Sequence, residues 1–196
     1  MQKTTINLRD HTILVADASY HFRRIVHGVL RGFGTKSVIE ADHMGPLLTV
    51  LDQQRVDLLL CDAHLPPHDG FEATLKIRRS EHSFFRTIPI LLMTGDTRES
   101  QIRKARDSGA NMVIAKPIAP RLLYDHLTWI AFHSRPFVDA PNYFGPDRRF
   151  KIEGYPNGAG RRSTDKPLEI AHEEGPALEQ NEIDSLFNAA RIGLSQ

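Results

Sequence analysis

The chain is short of cysteine, of long apolar runs and of net charge, and each shortage removes a class of protein. Cys61 is its one cysteine, so no intramolecular disulfide can form and no cysteine cluster can hold a metal. Inside an apolar stretch it reads as a small inert hydrophobe. No apolar run approaches the roughly 18 residues of a membrane span, and residues 1–10 hold nothing like the apolar core of a secretory signal. A cytoplasmic protein without membrane contact is the expectation. Lysine and arginine number 25 against 24 acidic side chains, so no global field draws the chain to nucleic acid. Its 10 histidines never gather at metal-ligand spacing, which disfavours zinc. The 196 residues have room for one ordinary domain and an extension, hardly for two full cores.

What is present is a set of apolar runs, each ending in a functional group. Ile13-Leu14-Val15-Ala16 leads to Asp17, Leu58-Leu59-Leu60-Cys61 to Asp62, Ile90-Leu91-Leu92-Met93 to Thr94, and Val113-Ile114-Ala115 to Lys116. Another strand is expected near Ser37 to Glu40, and the last of the runs extends over 111–115 as the fifth strand. Amphipathic stretches separate them. Ser19 can cap a helix with Phe22, Ile25, Val26, Val29 and Leu30 at helical spacing, ended by Gly32 and Gly34. Further helices are expected near 45–54, from Phe71 to about Ser80, and over 97–107 and 119–133. Lys76, Arg78 and Arg79 give the Phe71 helix a basic outer face. The alternation predicts an α/β fold, a (βα)5 doubly wound five-stranded parallel sheet. Such sheets place their sites at the carboxyl edge, where Asp17, Asp62, Thr94 and Lys116 would meet. Asp62, at a strand tip and followed by a Pro/Gly loop, is a candidate covalent acceptor.

On these residues, positions 11–133 closely resemble the receiver domain of two-component response regulators, the CheY-like fold. The resemblance implies that Asp62 accepts a phosphoryl group from a histidine kinase or histidine phosphotransfer protein. Bringing a phosphoryl dianion to a carboxylate needs neutralising charge. Asp17, Asp62 and the backbone carbonyl of His64 would hold magnesium, while Thr94 and Lys116 would bind the phosphoryl oxygens. His64 and Asp96 would tune the phosphate lifetime, and the Lys116–Pro117 peptide is cis in many relatives. The same resemblance implies a phosphorylation-controlled binding module with a downstream protein target, whose own chemistry ends at its phosphorylation and dephosphorylation. Two departures stand out. Receivers usually carry two adjacent acids at the end of the first strand, but Ala16 precedes Asp17 here, which weakens the case for tight magnesium, and Val113 occupies a switch position usually held by Tyr or Phe. A degenerate receiver that acts as an adaptor without phosphate stays open.

After residue 133 the composition changes. Residues 134–177 are rich in Gly and Pro without a sustained period and are expected to be an irregular or disordered tail; 1–10 is a lead-in, and 178–192 a short amphipathic helix capped by Asn181. No helix-turn-helix or output catalytic motif is visible in the tail. Arg148, Arg149, Arg161 and Arg162 form two pairs suited to clamping phosphates. They resemble the arginine-rich tails of some CheY-like proteins that bind cyclic di-GMP; nucleic acid is the disfavoured alternative ligand. Leu178 to Phe187 resembles the amino-terminal peptide of the flagellar switch protein FliM, a helix that docks on CheY. That likeness implies docking of Ile183, Leu186 and Phe187 on a receiver face, in cis or in trans, and a setting in motility or chemotaxis. A generic amphipathic helix is the plain alternative.

Overall fold

Short, unbroken apolar runs of the kind at 58–61 and 90–93 are the mark of strands covered on both faces, and they form the centre of the sheet. The computed structural model describes residues 6–81, 83–133, 135–148 and 177–187. Five strands, β1 (Thr12–Ala16), β2 (Ser37–Ala41), β3 (Leu58–Asp62), β4 (Ile90–Thr94) and β5 (Met112–Ala115), make one parallel sheet in the order β2-β1-β3-β4-β5. The chain steps from β1 outward to β2 and then back past β1 to β3. That reversal leaves a crevice at the carboxyl ends of β1 and β3, the place where open sheets bind.

The helices are α1 (Tyr20–Gly32), α2 (Met44–Gln53), α3 (Gly70–Arg79), the single turn α4 (Ser83–Arg86), α5 (Glu99–Asp107) and α6 (Pro120–Phe132). Strand alternation divides the core into two layers. Ile13, Val15, Leu60, Leu91, Met93 and Ile114 meet Val26 and Leu30 of α1 and Leu123 and Leu127 of α6. On the other face Leu14, Leu59, Cys61, Leu92 and Val113 meet Leu47 of α2, Phe71 and Ile77 of α3 and Ile102 of α5. Ser19 caps α1 as expected, its hydroxyl accepting from Phe22 N at 3.3 Å. Gly34 turns the chain beyond it at φ 92°. None of the helices among the described residues is long and apolar enough to cross a membrane.

The structure departs from the sequence expectation in three places. Arg78 is not on an outer face: it is 1% exposed. Its guanidinium donates to the carbonyls of Gly109 (2.9 Å), Arg86 (2.7 Å) and Ile88 (2.9 Å) and to Asn111 Oδ1 (2.9 Å). A buried polar group needs such partners, and helical periodicity alone does not reveal that the surrounding loops supply them. Next, the tail opens with an antiparallel hairpin, β6 (Phe137–Ala140) and β7 (Tyr143–Pro146), where composition predicts irregular chain. Its order comes from docking: Phe137 lies over the Arg78 guanidinium and Phe144 over that of Arg86.

The terminal helix α7 spans Gln180–Phe187 and starts before Asn181; residues 188–192 of the expected helix lie outside the described residues. Its first turn is closed by Glu182, whose carboxylate accepts from Glu179 N at 2.8 Å, half of a capping box. Ile183 and Phe187 are fully buried beside Val113, and Leu186 is half-buried against the same layer.

Candidate functional site

Register alone brings the polar strand ends together. Ala16 pairs with Cys61, so the next residues, Asp17 and Asp62, sit abreast on neighbouring strands. Asp62 pairs with Met93 and Thr94 with Ala115, which places Thr94 and Lys116 one step further along the same edge. The chain turns sharply after β3. Gly70 N donates to Ala63 O at 2.9 Å, and a Cβ on Gly70 would lie 2.1 Å from the carbonyl oxygen of Asp62. Only glycine permits that approach. Lys116–Pro117 is cis, as the resemblance implied, and so is Pro66–Pro67.

Three of the four groups converge. Lys116 Nζ lies 2.6 Å from Asp17 Oδ2 and 3.0 Å from Asp62 Oδ1, so one ammonium bridges both carboxylates. The Lys116 ammonium also rests over the ring of Phe22 at 4.1 Å, a cation–π contact that treats as site wall a residue the sequence offers as helix core. Asp17 is buried, its other oxygen accepting from Ser19 N at 2.7 Å. Arg23 braces the β1 end by donating to Asp17 O at 2.6 Å. Burial raises the Asp62 carboxyl above its ordinary range; Lys116 opposes that shift and the neighbouring Asp17 charge adds to it. Cys61, one residue earlier, is buried with its thiol pushed up by burial, which leaves it inert.

Thr94 is on the same edge but faces its own loop. Its hydroxyl donates to Asp96 O and accepts from Asp96 N, each at 3.0 Å. The Asp96 carboxylate is held by Arg98, whose hydrogen bond keeps it below the usual carboxylate range. His64 is exposed in the loop after β3, with its backbone N–H against Asp62.

Do these residues fit magnesium? Two carboxylates close enough to share the Lys116 ammonium present hard oxygen donors to a common point, and a magnesium ion bound by one or two carboxylates keeps the rest of its shell as water. They fit. Asp17, Asp62 and the His64 carbonyl would hold the ion, and Ala16, wholly buried, adds no oxygen. Among the described residues no group of three or more His, Cys, Asp and Glu side chains gathers to hold a metal.

The tail residues divide. Arg148 pairs with Asp107 at 2.5 Å and lies over Tyr143, whereas Arg149, Arg161 and Arg162 lie outside the described residues. Helix α7 runs along β5, the edge strand. The Gln180 side chain accepts from Ala115 N at 2.7 Å and donates to Val113 O at 3.1 Å, closing backbone groups that no strand pairs. Asp184 Oδ1 lies 3.0 Å from His126 Nε2 on α6, and Arg135 donates to Phe187 O at 3.3 Å. The segment before α7 is joined to the loop after β4: Leu178 N donates to Thr97 O at 2.8 Å, and Ala177 bridges Arg98. No sequence signal marks Gln180, Arg135 or Arg23, because their roles depend on which backbone groups the fold leaves open.

Comparison with known proteins agrees with this geometry. Residues 13–128 match the response regulator receiver domain. Over 116 residues the chain is 31% identical to the chemotaxis protein CheY1 of Helicobacter pylori, covering 59% of this chain and 92% of that protein. It is 28% identical over 115 residues to the chemotaxis protein CheY of Pseudomonas aeruginosa, covering 59% and 91%. The solved structure of the chemotaxis response regulator CheY4 of Vibrio cholerae aligns with a TM-score of 0.57 at 26% identity, covering 61% of this chain and 98% of that one.

Proposed function

The chain belongs to the response regulator receiver family, whose CheY-type members are signalling switches, and from that premise we propose that Asp62 is its phosphoacceptor. The observation that carries the reading is the single Lys116 ammonium bridging Asp17 and Asp62 at the crevice. A carboxylate oxygen of Asp62 would attack the phosphorus of a phosphohistidine on a kinase or phosphotransfer protein. The P–O bond forms as the P–N bond breaks, and the imidazole leaves. Lys116 is placed to take up charge on the transferred oxygens. Magnesium, when bound, would neutralise the rest. His64 and Asp96, at the rim, are suited to tuning hydrolysis of the acyl phosphate.

The output route we propose runs through the tail. Val113 has no ring to swing, but α7 covers its strand and is anchored to the loop after Thr94. A phosphoryl oxygen that recruits the Thr94 hydroxyl takes it from Asp96, shifts the 95–98 loop and biases α7 between docked and free conformers. Residues 11–133 are then the switch and the hairpin and α7 its regulatory extension. A free α7, or the β5 face it uncovers, would meet the downstream protein. The chemotaxis proteins this chain resembles and the FliM-like α7 sequence support a setting in motility.

Acetyl phosphate with magnesium should add one phosphoryl mass to the wild type, read by intact-mass spectrometry, and none to Asp62→Asn. An unmodified wild type would refute the reading and leave a non-phosphorylated adaptor.

A further inference from the structure

Away from the crevice, the hairpin and the carboxyl end of α3 enclose a pocket of about 320 Å³ lined by Leu75, Arg78, Arg79, Arg86, Asp139 and Tyr143, among others. Its charge is one-sided: three guanidinium groups face one carboxylate, leaving two positive charges. Only Arg86 faces the carboxylate at ion-pair distance. Arg78 is buried yet hydrogen-bonded only to carbonyl groups. Arg86 pairs loosely with Asp139 at 3.7 Å, donates its Nε to Arg78 O at 3.1 Å and stacks on Phe144 at 3.7 Å. The Arg79 guanidinium has no hydrogen bond or ion pair among the described residues. Burial also pushes Arg78 down to about 9, the response of a cation that lacks a counter-ion.

We propose that this pocket binds a small organic phosphate of about mononucleotide size. A phosphate monoester carries about −1.5 to −2 at neutral pH, which matches the two excess positive charges. Arginine forks engage phosphate oxygens in pairs. Arg79 supplies the donors at the mouth, Arg86 adds the remaining face of a guanidinium whose Nε already donates to Arg78 O, the Arg78 charge adds its field from below, and Pro141, Tyr143 and Phe144 border the organic part. The volume lies at the lower end of ligand pockets, about 300–1,000 Å³, which suits a mononucleotide. The site is separate from Asp62 and does not rest on its phosphorylation.

Calorimetric titration of the full chain with guanosine 5′-monophosphate, adenosine 5′-monophosphate, inorganic phosphate and guanosine tests this. The monophosphates should bind, guanosine should not, and weaker binding of inorganic phosphate would assign a share to the organic part. Arg79→Ala should weaken binding about tenfold. Asp139→Asn, at a position 73% exposed where folding is not at risk, should tighten it several-fold by removing the opposing carboxylate. No binding at millimolar monophosphate, or affinities that ignore both substitutions while Arg148→Ala abolishes them, would overturn the proposal. Retention of an RNA oligonucleotide without mononucleotide binding would overturn it as well.

Discussion

Truncating Phe187 should release α7 from the β5 edge without unfolding the sheet. An eight-residue helix is not stable in water by itself, so α7 persists only through its anchors. Phe187 is the largest of them, 2% exposed, beside Ile183 at 0%. Phe→Ala in a core costs about 3–5 kcal/mol. The lower figure applies here, because the site lies at the sheet margin and can relax. About 3 kcal/mol is a factor of roughly 10² in the docked-to-free ratio. The reporter is the Ala115 amide, which donates outward from the edge strand to Gln180 Oε1 at 2.7 Å and has solvent as its alternative partner. In Phe187→Ala, hydrogen exchange at Ala115 should accelerate by about a hundredfold, whereas the Leu91 amide, within the sheet, should keep its rate. Gln180→Ala should expose the same amide. Unchanged protection at Ala115 in both variants would refute the claim that α7 seals this edge.

The packing supports three further outcomes. Gly70→Ala should destabilise the protein by about 3 kcal/mol, since its Cβ would sit 2.1 Å from Asp62 O and the β3 tip must move; urea titration together with a loss of acetyl-phosphate labelling checks it. Asp69 caps α3 through Glu72 N at 2.7 Å and pairs with Lys104 at 2.8 Å. Burial raises its carboxyl, but Lys104 and the Glu72 amide outweigh that and hold it below the usual range. Its contribution is thus present above the unfolded value, about pH 3.9, and is lost as pH falls through the lower folded value. Asp69→Ala should cost about 1 kcal/mol at pH 7 and flatten the stability profile below pH 4, seen in denaturation midpoints across that window. Arg78→Met should cost about 3 kcal/mol or more, because the Gly109, Arg86 and Ile88 carbonyls lose their donor. Exchange at the Asp147 amide, which bonds Pro136 O beside the hairpin, should rise with it.

The strands and the Asp17, Asp62 and Lys116 cluster were legible because both derive from one-dimensional pattern. Apolar runs of strand length name the sheet, and a polar residue at the end of each run lands on one edge once the strands are parallel and in register. Thr94 was legible in place but not in orientation, since its hydroxyl is claimed by Asp96, two residues away. Arg78 was misplaced for a physical reason: a charged residue at that helical position is ordinarily solvated, and its burial depends on carbonyls from two distant loops. The hairpin was hidden in the same way. Its strands, four residues each, are too short to show a period of two, and its stability is borrowed from the arginines beneath Phe137 and Phe144.

The position of Thr94 decides how a switch without an aromatic residue at 113 can work. Its hydroxyl has one hydrogen to donate, and that hydrogen is now given to Asp96 O. Donation to a phosphoryl oxygen on Asp62 and donation to Asp96 are therefore mutually exclusive. A charge-assisted bond to phosphate is about twice as strong as one between neutral groups, so the phosphorylated site should win the contest and free the 95–98 loop. That loop carries Thr97 O, the acceptor of Leu178 N, and Arg98, the partner of Ala177. Displacement at Thr94 thus reaches the base of α7 through a continuous set of backbone bonds, within four residues of the hydroxyl. Thr94→Val, which keeps the shape and removes the hydroxyl, would leave phosphorylation of Asp62 possible but uncouple it from Ala115 protection. Equal responses of Ala115 to phosphate in Thr94→Val and wild type would place the coupling elsewhere.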